Sequence, residues 1–160
     1  TIWLKEGSTI STPVVQIIDQ RHLPHDFVVE DLRTVEEMCV AIKEMHVRGA
    51  GLIGCAAAYG MYLAYAESTQ RPTATVEEVK AHVASAAEKL LLTRPTAVNL
   101  RVGVEKLQHV LNGELSKAEG PLVAADLKEA LEVAARREAA RITDEDAEFC
   151  QRIGDAGAKI

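Results

Sequence analysis

The spacing of apolar residues divides the chain into two regions with different periods. Within residues 1–33 the apolar residues form three short runs, at Ile2–Leu4, Val14–Ile18 and Phe27–Val29, with turn residues between them. Short β-branched runs of this kind are typical of strands. The sequence therefore predicts a small antiparallel sheet of two to four strands, which needs to pack against the rest of the chain to be stable.

From Thr34 to residue 153 the apolar residues recur every three or four positions, which predicts a bundle of about five helices. Thr34 and Glu37 have the spacing of a capping box, and Thr75 and Glu78 have it too. Each threonine should therefore stand immediately before a helix. A small sheet followed by a helical bundle makes the predicted fold class α+β.

The second helix should lie at the centre of the bundle, because it is apolar on almost every side and rich in glycine and alanine. Glycine, proline and capping residues set the other expected limits. The first helix should stop near 47–49, and further helices are predicted over 50–67 and 75–92, with a loop at 70–73. The next helix should start at Pro95 and end before Asn112-Gly113. Residues 122–154 should form one long helix, or two that meet near 142–144. Residues 154–160 are expected to begin a connection to a further domain.

Composition and charge narrow the classes of function. The chain has 160 residues, 48% of them hydrophobic and 26% charged, and its formal net charge is −6. The acidic balance and the lack of a basic cluster argue against nucleic-acid and membrane partners, and no apolar run is long enough to span a bilayer. Small molecules or proteins are the expected partners. Three cysteines at scattered positions and no signal-peptide pattern predict a reduced, cytoplasmic protein.

Two predicted helix starts carry an arginine in surroundings that suit an anion. In the first, Arg48 is followed by Gly49 and Ala50, which would leave backbone N–H groups open at the positive end of a helix dipole. In the second, Arg94 precedes Pro95 at the next helix start. If the two starts converge, they could bind one sugar phosphate. The structural alternative is a tight glycine turn between helices and a solvated arginine.

Other side chains give weaker signals. His22 and His25 have no further ligand fixed beside them, so no metal site is predicted. His46 is near enough to Arg48 to line the same pocket, yet a histidine without a ligand at a helix end is the expected state. The cysteines suit helix faces better than the role of a nucleophile. The acidic run 144–146 is expected to be a solvated face.

Four segments in this order resemble the N-terminal part of the 5-methylthioribose-1-phosphate isomerase family. They are Ile17-Ile18-Asp19-Gln20 with Leu23-Pro24, Met45-His46-Val47-Arg48-Gly49-Ala50, Ala56-Ala57-Ala58-Tyr59-Gly60, and Thr93-Arg94-Pro95-Thr96-Ala97-Val98-Asn99-Leu100. The resemblance covers essentially the whole chain. The same superfamily includes archaeal ribose-1,5-bisphosphate isomerase and the regulatory subunits of the eukaryotic translation initiation factor nucleotide-exchange complex.

The resemblance implies a small sheet and helical bundle followed by a Rossmann-like C-terminal domain, which is absent from this chain. It implies an aldose-ketose isomerisation of a sugar 1-phosphate in methionine salvage, without metal or organic cofactor, in a protein that is usually a homodimer. It assigns the catalytic step to a cysteine and an aspartate of the C-terminal domain. Cys39, Cys55 and Cys150 lie in no matching motif, so we expect no catalytic residue here and no activity from this chain alone.

The resemblance also implies substrate contacts. Arg48, Gly49 and Ala50 match the family's Arg-Gly-Ala substrate-binding turn, and Arg94 matches the arginine of its Thr-Arg-Pro motif. After the turn the family usually continues Pro-Ala-Ile-Gly, whereas this chain has Gly51-Leu52-Ile53-Gly54, which is more like ribose-1,5-bisphosphate isomerase. Two alternatives therefore stay open. One is that second isomerase, and the other is a non-catalytic regulatory subunit that acts through protein contacts.

Overall fold

The computed structural model contains a small sheet followed by a helical bundle. It describes residues 1–70, 74–116 and 125–159, without the side chains of 125–128. The elements are β1 (Ile2–Leu4), β2 (Val15–Ile18), β3 (Val29–Leu32), α1 (Val35–Lys43), α2 (Ala50–Thr69), α3 (Val76–Thr93), α4 (Val98–Leu115) and α5 (Ala125–Gly157). The predicted loop at 71–73 and the predicted helix start at 122–124 lie outside the described residues.

The three strands form one antiparallel sheet in the order β1-β2-β3, which confirms the α+β class. The register pairs Ile2 with Ile17 and Val15 with Leu32. All four side chains are buried, and they lie on one face of the sheet because direct partners and alternate residues share a face. This face packs against the core, as expected for a sheet too small to be stable alone.

The third strand lies farther along the chain than its apolar run predicts. β3 spans Val29–Leu32, whereas Phe27, which the prediction placed in the strand, is 70% exposed. The observed strand contains Glu30 and Asp31, which interrupt the apolar pattern. Both carboxylates have partners, since Gln16 donates to Asp31 at 2.7 Å and His46 lies 2.7 Å from Glu30. These polar pairs between elements account for the position of β3. A hydropathy pattern contains no information about such pairs.

Both predicted capping boxes are present and begin helices. Thr34 Oγ1 accepts from the amide of Glu37 at 3.1 Å, and Thr75 Oγ1 accepts from the amide of Glu78 at 3.2 Å. Each glutamate in turn accepts from the amide of its threonine. The helices α1 and α3 therefore start where the sequence predicts.

Two predicted helix limits beside the candidate site are wrong. α1 ends at Lys43 and not near 47–49, because the chain leaves the helix at Met45, whose φ is +62°. α4 begins at Val98 and not at Pro95, which lies in a turn before the helix. Both differences lengthen the segments that precede a helix start, and both of those segments carry a candidate arginine.

Two other helices extend beyond their predicted limits. α4 continues past Gly113 to Leu115, whose side chain is completely buried, so packing overrides the local breaker signal. α5 runs without a break through 142–144 to Gly157. Its middle is held by the buried side chain of Ile142.

α2 is the central helix, as predicted. It packs against α1, α3, α4 and α5, and most of its side chains are buried, including Tyr59, Tyr62 and Tyr65. Four surrounding helices explain why α2 is apolar on every side, since an evenly apolar helix must be covered all round. Of the helices in the described ranges, none is long and apolar enough to cross a membrane.

Candidate functional site

The Arg48 turn, residues 48–50, leads into α2 with an open helix start. Gly49 is the N-cap residue, with φ +102°, a conformation that favours glycine. It supplies no side-chain cap, and the first turn of α2 contains no acidic residue. The first amides of a helix have no partner within the helix, and the three residues of the turn are exposed. Such a helix start is suited to bind an anion.

The end of β2 holds the Arg48 turn through two hydrogen bonds. The amide of Gln20 donates to the carbonyl oxygen of His46 at 2.8 Å. In the opposite direction, Arg48 Nη2 donates to the carbonyl oxygen of Gln20 at 2.8 Å. Two of the segments that carry the family resemblance, the one ending at Gln20 and the one containing the turn, thus meet in space.

Arg94 stands at a second helix junction. It is the C-cap residue of α3 and is half-buried, and its carbonyl oxygen accepts from the amide of Ala97 at 2.9 Å. Ala97 is the N-cap of α4 and has no side-chain hydrogen bond to the helix, so this helix start is also open. The guanidinium of Arg94 makes no hydrogen bond or ion pair with the residues that the structure describes.

α2 and α4 cross at glycines, and the crossing brings the two helix starts to one end of the bundle. A Cβ at Gly54 would lie 2.9 Å from the carbonyl oxygen of Asn99, and a Cβ at Gly103 would overlap the carbonyl oxygen of Gly54. Gly54 is the fifth residue of α2 and Asn99 the second of α4. At a rise of about 1.5 Å per residue, both starts lie within about two turns of the crossing. The Arg48 turn and Arg94 therefore share an end of the molecule.

A cluster of ionisable side chains lies beside the Arg48 turn, and only a weak signal in the sequence points to it. Asp19, Glu30 and His46 offer ligand atoms that lie within 4.8 Å of one another. His46, which the sequence predicts to be a histidine without a ligand, places Nδ1 2.7 Å from Glu30 Oε2. Arg21 donates to Asp19 through Nη2 at 2.6 Å and through Nε at 3.0 Å. An arginine already pairs the buried carboxylate, so the cluster is internally satisfied.

Asp19 should make the stability of the chain depend on pH. The side chain of Arg21 donates hydrogen bonds to this carboxylate and holds its pKa well below the usual range, against the opposing effect of burial. A lowered folded pKa stabilises the fold above the unfolded value of about 3.9, and this contribution is lost as pH falls further. We expect Asp19→Asn to cost up to about 3 kcal/mol at pH 7 and progressively less below pH 4.

Urea unfolding of the native chain and of Asp19→Asn at pH 7, 4 and 3 measures this difference. Asp31 contributes acid sensitivity to both proteins, since hydrogen bonds from Gln16 and Lys5 lower its pKa to about 2. The difference between the two proteins therefore isolates Asp19. Stability curves that stay parallel from pH 7 to pH 3 would contradict the assignment.

The sequence predicts that the acidic run 144–146 is a solvated face, but in the structure one of its residues also packs against another helix. The carboxylate of Asp146 lies against Gly51, and a Cβ at Gly51 would overlap it. Asp146 also lines two neighbouring clefts, one of about 490 Å³ that includes Cys55 and Cys150 and one of about 160 Å³ between α2, α4 and α5. The position of the Asp146 carboxylate depends on the absence of a side chain at Gly51, which lies 95 residues earlier in the chain. Sequence composition does not reveal this relation.

A small antiparallel sheet, a buried central helix and two arginine-bearing helix starts at one end define an α+β domain with the elements of an anion site. Residues 46–160 match the model of the initiation factor 2 subunit family, and the chain belongs to this family. The matched range begins at His46, two residues before the Arg48 turn.

Curated relatives carry the names of sugar-phosphate isomerases. The chain is 41% identical over 162 residues to methylthioribose-1-phosphate isomerase of Sinorhizobium medicae, an alignment that covers 100% of this chain and 37% of that protein. It is 41% identical over 146 residues to 5-deoxyribose 1-phosphate isomerase of Moorella thermoacetica, covering 91% of this chain and 38% of the relative. The chain thus spans less than two fifths of the length of either relative.

Two solved structures share the fold. The crystal structure of 5-methylthioribose 1-phosphate isomerase from Pyrococcus horikoshii superposes with a TM-score of 0.80 at 36% identity, over 100% of this chain and 40% of that one. Translation initiation factor eIF-2B, subunit delta, from Archaeoglobus fulgidus gives a TM-score of 0.72 at 38% identity, over 92% of this chain and 37% of that one. The domain therefore occurs under both an isomerase name and an initiation-factor name.

Proposed function

We propose that this chain is the substrate-binding N-terminal part of an aldose-ketose isomerase that converts 5-methylthioribose 1-phosphate to 5-methylthioribulose 1-phosphate in methionine salvage. The observation that carries the proposal is that the Arg48 turn and Arg94 lie at the same end of the bundle. The isomerase names of the relatives and of the Pyrococcus horikoshii structure support it.

In this proposal Arg48, Gly49, Ala50 and Arg94 bind the substrate. The open amides at the start of α2 and the positive end of its dipole attract phosphate oxygens. The guanidinium of Arg94, which has no partner among the described residues, can make bidentate, charge-assisted bonds. Arg48 keeps further N–H groups beside the one that donates to Gln20. Fixing the sugar between these groups lowers the entropic cost of moving hydrogen from C2 to C1.

The proposal assigns no catalytic residue to this chain. Burial raises the pKa of Cys39 and of Cys55 to about 11, which keeps both as thiols at neutral pH. Cys150 is exposed and lies in no motif of the family. The reacting groups would come from the Rossmann-like C-terminal domain that the resemblance implies, and neither metal nor organic cofactor is required. The same proposal includes a homodimer and a cytoplasmic location. The three free cysteines suit a reducing compartment such as the cytoplasm.

A chimeric enzyme tests the proposed function. Residues 1–160 replace the matched segment of the Sinorhizobium medicae isomerase, and turnover of 5-methylthioribose 1-phosphate is followed by NMR of the ketose product. We expect the chimera to be active, because the substrate contacts of this chain would replace those of the parent, and we expect residues 1–160 alone to be inactive. Turnover by residues 1–160 alone would show that the catalytic groups are wrongly assigned.

The alternatives predict different outcomes of this experiment. A regulatory role, favoured by the likeness to eIF-2B subunit delta, predicts a folded chimera without turnover. A ribose-1,5-bisphosphate isomerase predicts a preference shifted from the parent's substrate toward the bisphosphate, with Gly51 as the residue to exchange for proline first. Comparison of 5-methylthioribose 1-phosphate, 5-deoxyribose 1-phosphate and ribose 1,5-bisphosphate distinguishes these cases.

A further inference from the structure

The position of the Arg48 turn is not fixed by packing of its own side chains, which are exposed. The two residues before it are buried instead, with Val47 at 0% and His46 at 5% exposure. One residue earlier, Met45 adopts φ +62°, which costs energy for a residue with a side chain. Such a conformation persists only where the surroundings over-determine it. The groups around His46 must therefore hold this part of the backbone.

His46 is held by three different elements. Its amide donates to the carbonyl oxygen of Ala41 in α1 at 2.9 Å, and its carbonyl oxygen accepts from the amide of Gln20 after β2 at 2.8 Å. Its ring contacts Glu30 of β3 at 2.7 Å. The two backbone bonds involve atoms that any residue has. The ring contact with Glu30 is the one that requires histidine at this position.

Asp19 and Arg21 complete the surroundings of the pair. Asp19 is 2% exposed, and the Arg21 guanidinium that donates to its carboxylate also interacts electrostatically with Glu30. Two carboxylates this close to each other are costly to bury without such a charge. Because every member has a partner, the cluster serves to hold the backbone and does not need a bound ion.

We infer that the Glu30–His46 pair is a positioning device for the Arg48 turn, which fixes the Arg48 guanidinium and the open amides of α2 where an anion binds. The inference rests on the proposed function. Neither side chain belongs to the exposed Arg48 turn itself. Both act through the backbone of His46 and through Gln20, which accepts from Arg48. They are therefore positioning residues.

Titration of the 160-residue chain with inorganic phosphate, followed by the amide NMR signals of Gly49 and Ala50, tests this inference. We expect Glu30→Ala to weaken phosphate binding about five- to tenfold, the value of one hydrogen bond. Glu30→Gln keeps an oxygen that accepts from Nδ1–H and should bind within about twofold of the native chain. Glu36→Ala removes an exposed pair with Lys89 and is the matched control, expected to leave binding unchanged.

The outcomes separate this inference from the proposed function. If the native chain shows no phosphate response, or Arg48→Ala keeps it, the anion site itself is wrong. If Arg48→Ala abolishes the response while Glu30→Ala binds like the native chain, only the positioning role is overturned. Equal losses in Glu30→Ala and Glu30→Gln would also overturn it. Thermal melting checks the fold, and His46→Gln, expected to lose affinity like Glu30→Ala, replaces that variant if it unfolds.

Discussion

Replacing Arg94 by alanine in the chimeric isomerase is expected to lower kcat/KM for 5-methylthioribose 1-phosphate by about 10- to 100-fold. A hydrogen bond to a charged group contributes about 1.5–3 kcal/mol, and each 1.4 kcal/mol is a factor of ten. Arg94 is half-buried, and its guanidinium makes no bond with the described residues. The loss should therefore appear in steady-state kinetics and not in thermal stability.

Arg101→Ala is the matched control for this prediction. Arg101 lies on α4 about one turn beyond its start, and its side chain is exposed. Removing this charge tests whether any positive charge near the helix start has the same effect. We expect kcat/KM of this variant to be unchanged. Equal losses in the two variants, or no loss in Arg94→Ala, would contradict the role of Arg94 in binding phosphate.

Gly103→Ala is expected to destabilise the chain by about 2–3 kcal/mol. The added Cβ would overlap the carbonyl oxygen of Gly54 and lie 3.3 Å from the Cβ of Ala57. The nearest obstacle is backbone, which cannot rotate away, so α2 and α4 have to separate. At about 2–4 °C per kcal/mol for a chain of this length, the melting temperature should fall by about 5–10 °C. Differential scanning calorimetry measures the shift.

Gly113→Ala, in the same helix, is expected to stabilise the chain and so to have the opposite effect. No atom of the residues that the structure describes lies within 4 Å of a Cβ at Gly113, so the substitution gains helix propensity without a clash among them. It should raise stability by about 0.5–1 kcal/mol. Destabilisation by both alanines would mean that glycine in α4 serves something other than the close crossing with α2. A normal melting temperature for Gly103→Ala would show that the helices do not approach so closely.

The fold was predictable where local chemistry decides it. The capping boxes at Thr34 and Thr75 place two helix starts, and the composition of α2 predicts a buried central helix. Prediction failed where distant packing overrides local signals. α4 continues past Gly113 because Leu115 is buried, and β3 includes Glu30 because its carboxylate has a partner elsewhere. Neither the burial of Leu115 nor the pairing of Glu30 can be inferred from the residues adjacent to them in the sequence.

The sequence indicates candidate residues for the site but not the contacts that support them. Glycine after Arg48 marks the start of α2 in the sequence itself, whereas proline after Arg94 lies three residues before the first residue of α4. Their common end of the bundle depends on the crossing of Gly54 and Gly103, which sequence periodicity does not reveal. The pairing of His46 with Glu30 was missed for the same reason, although the acidic residues Glu30 and Asp31, which directly follow an apolar run, were an available signal.

At Gly51, α2 contacts α5 closely because this residue has no side chain. The carboxylate of Asp146 occupies the volume that a side chain at residue 51 would need. The obstacle is the end of a side chain and not backbone, so a Cβ at this point would turn the carboxylate aside and leave the 33-residue helix α5 in place. One residue beside the Arg48 turn therefore decides where a negative charge of α5 lies within the two clefts that Asp146 lines.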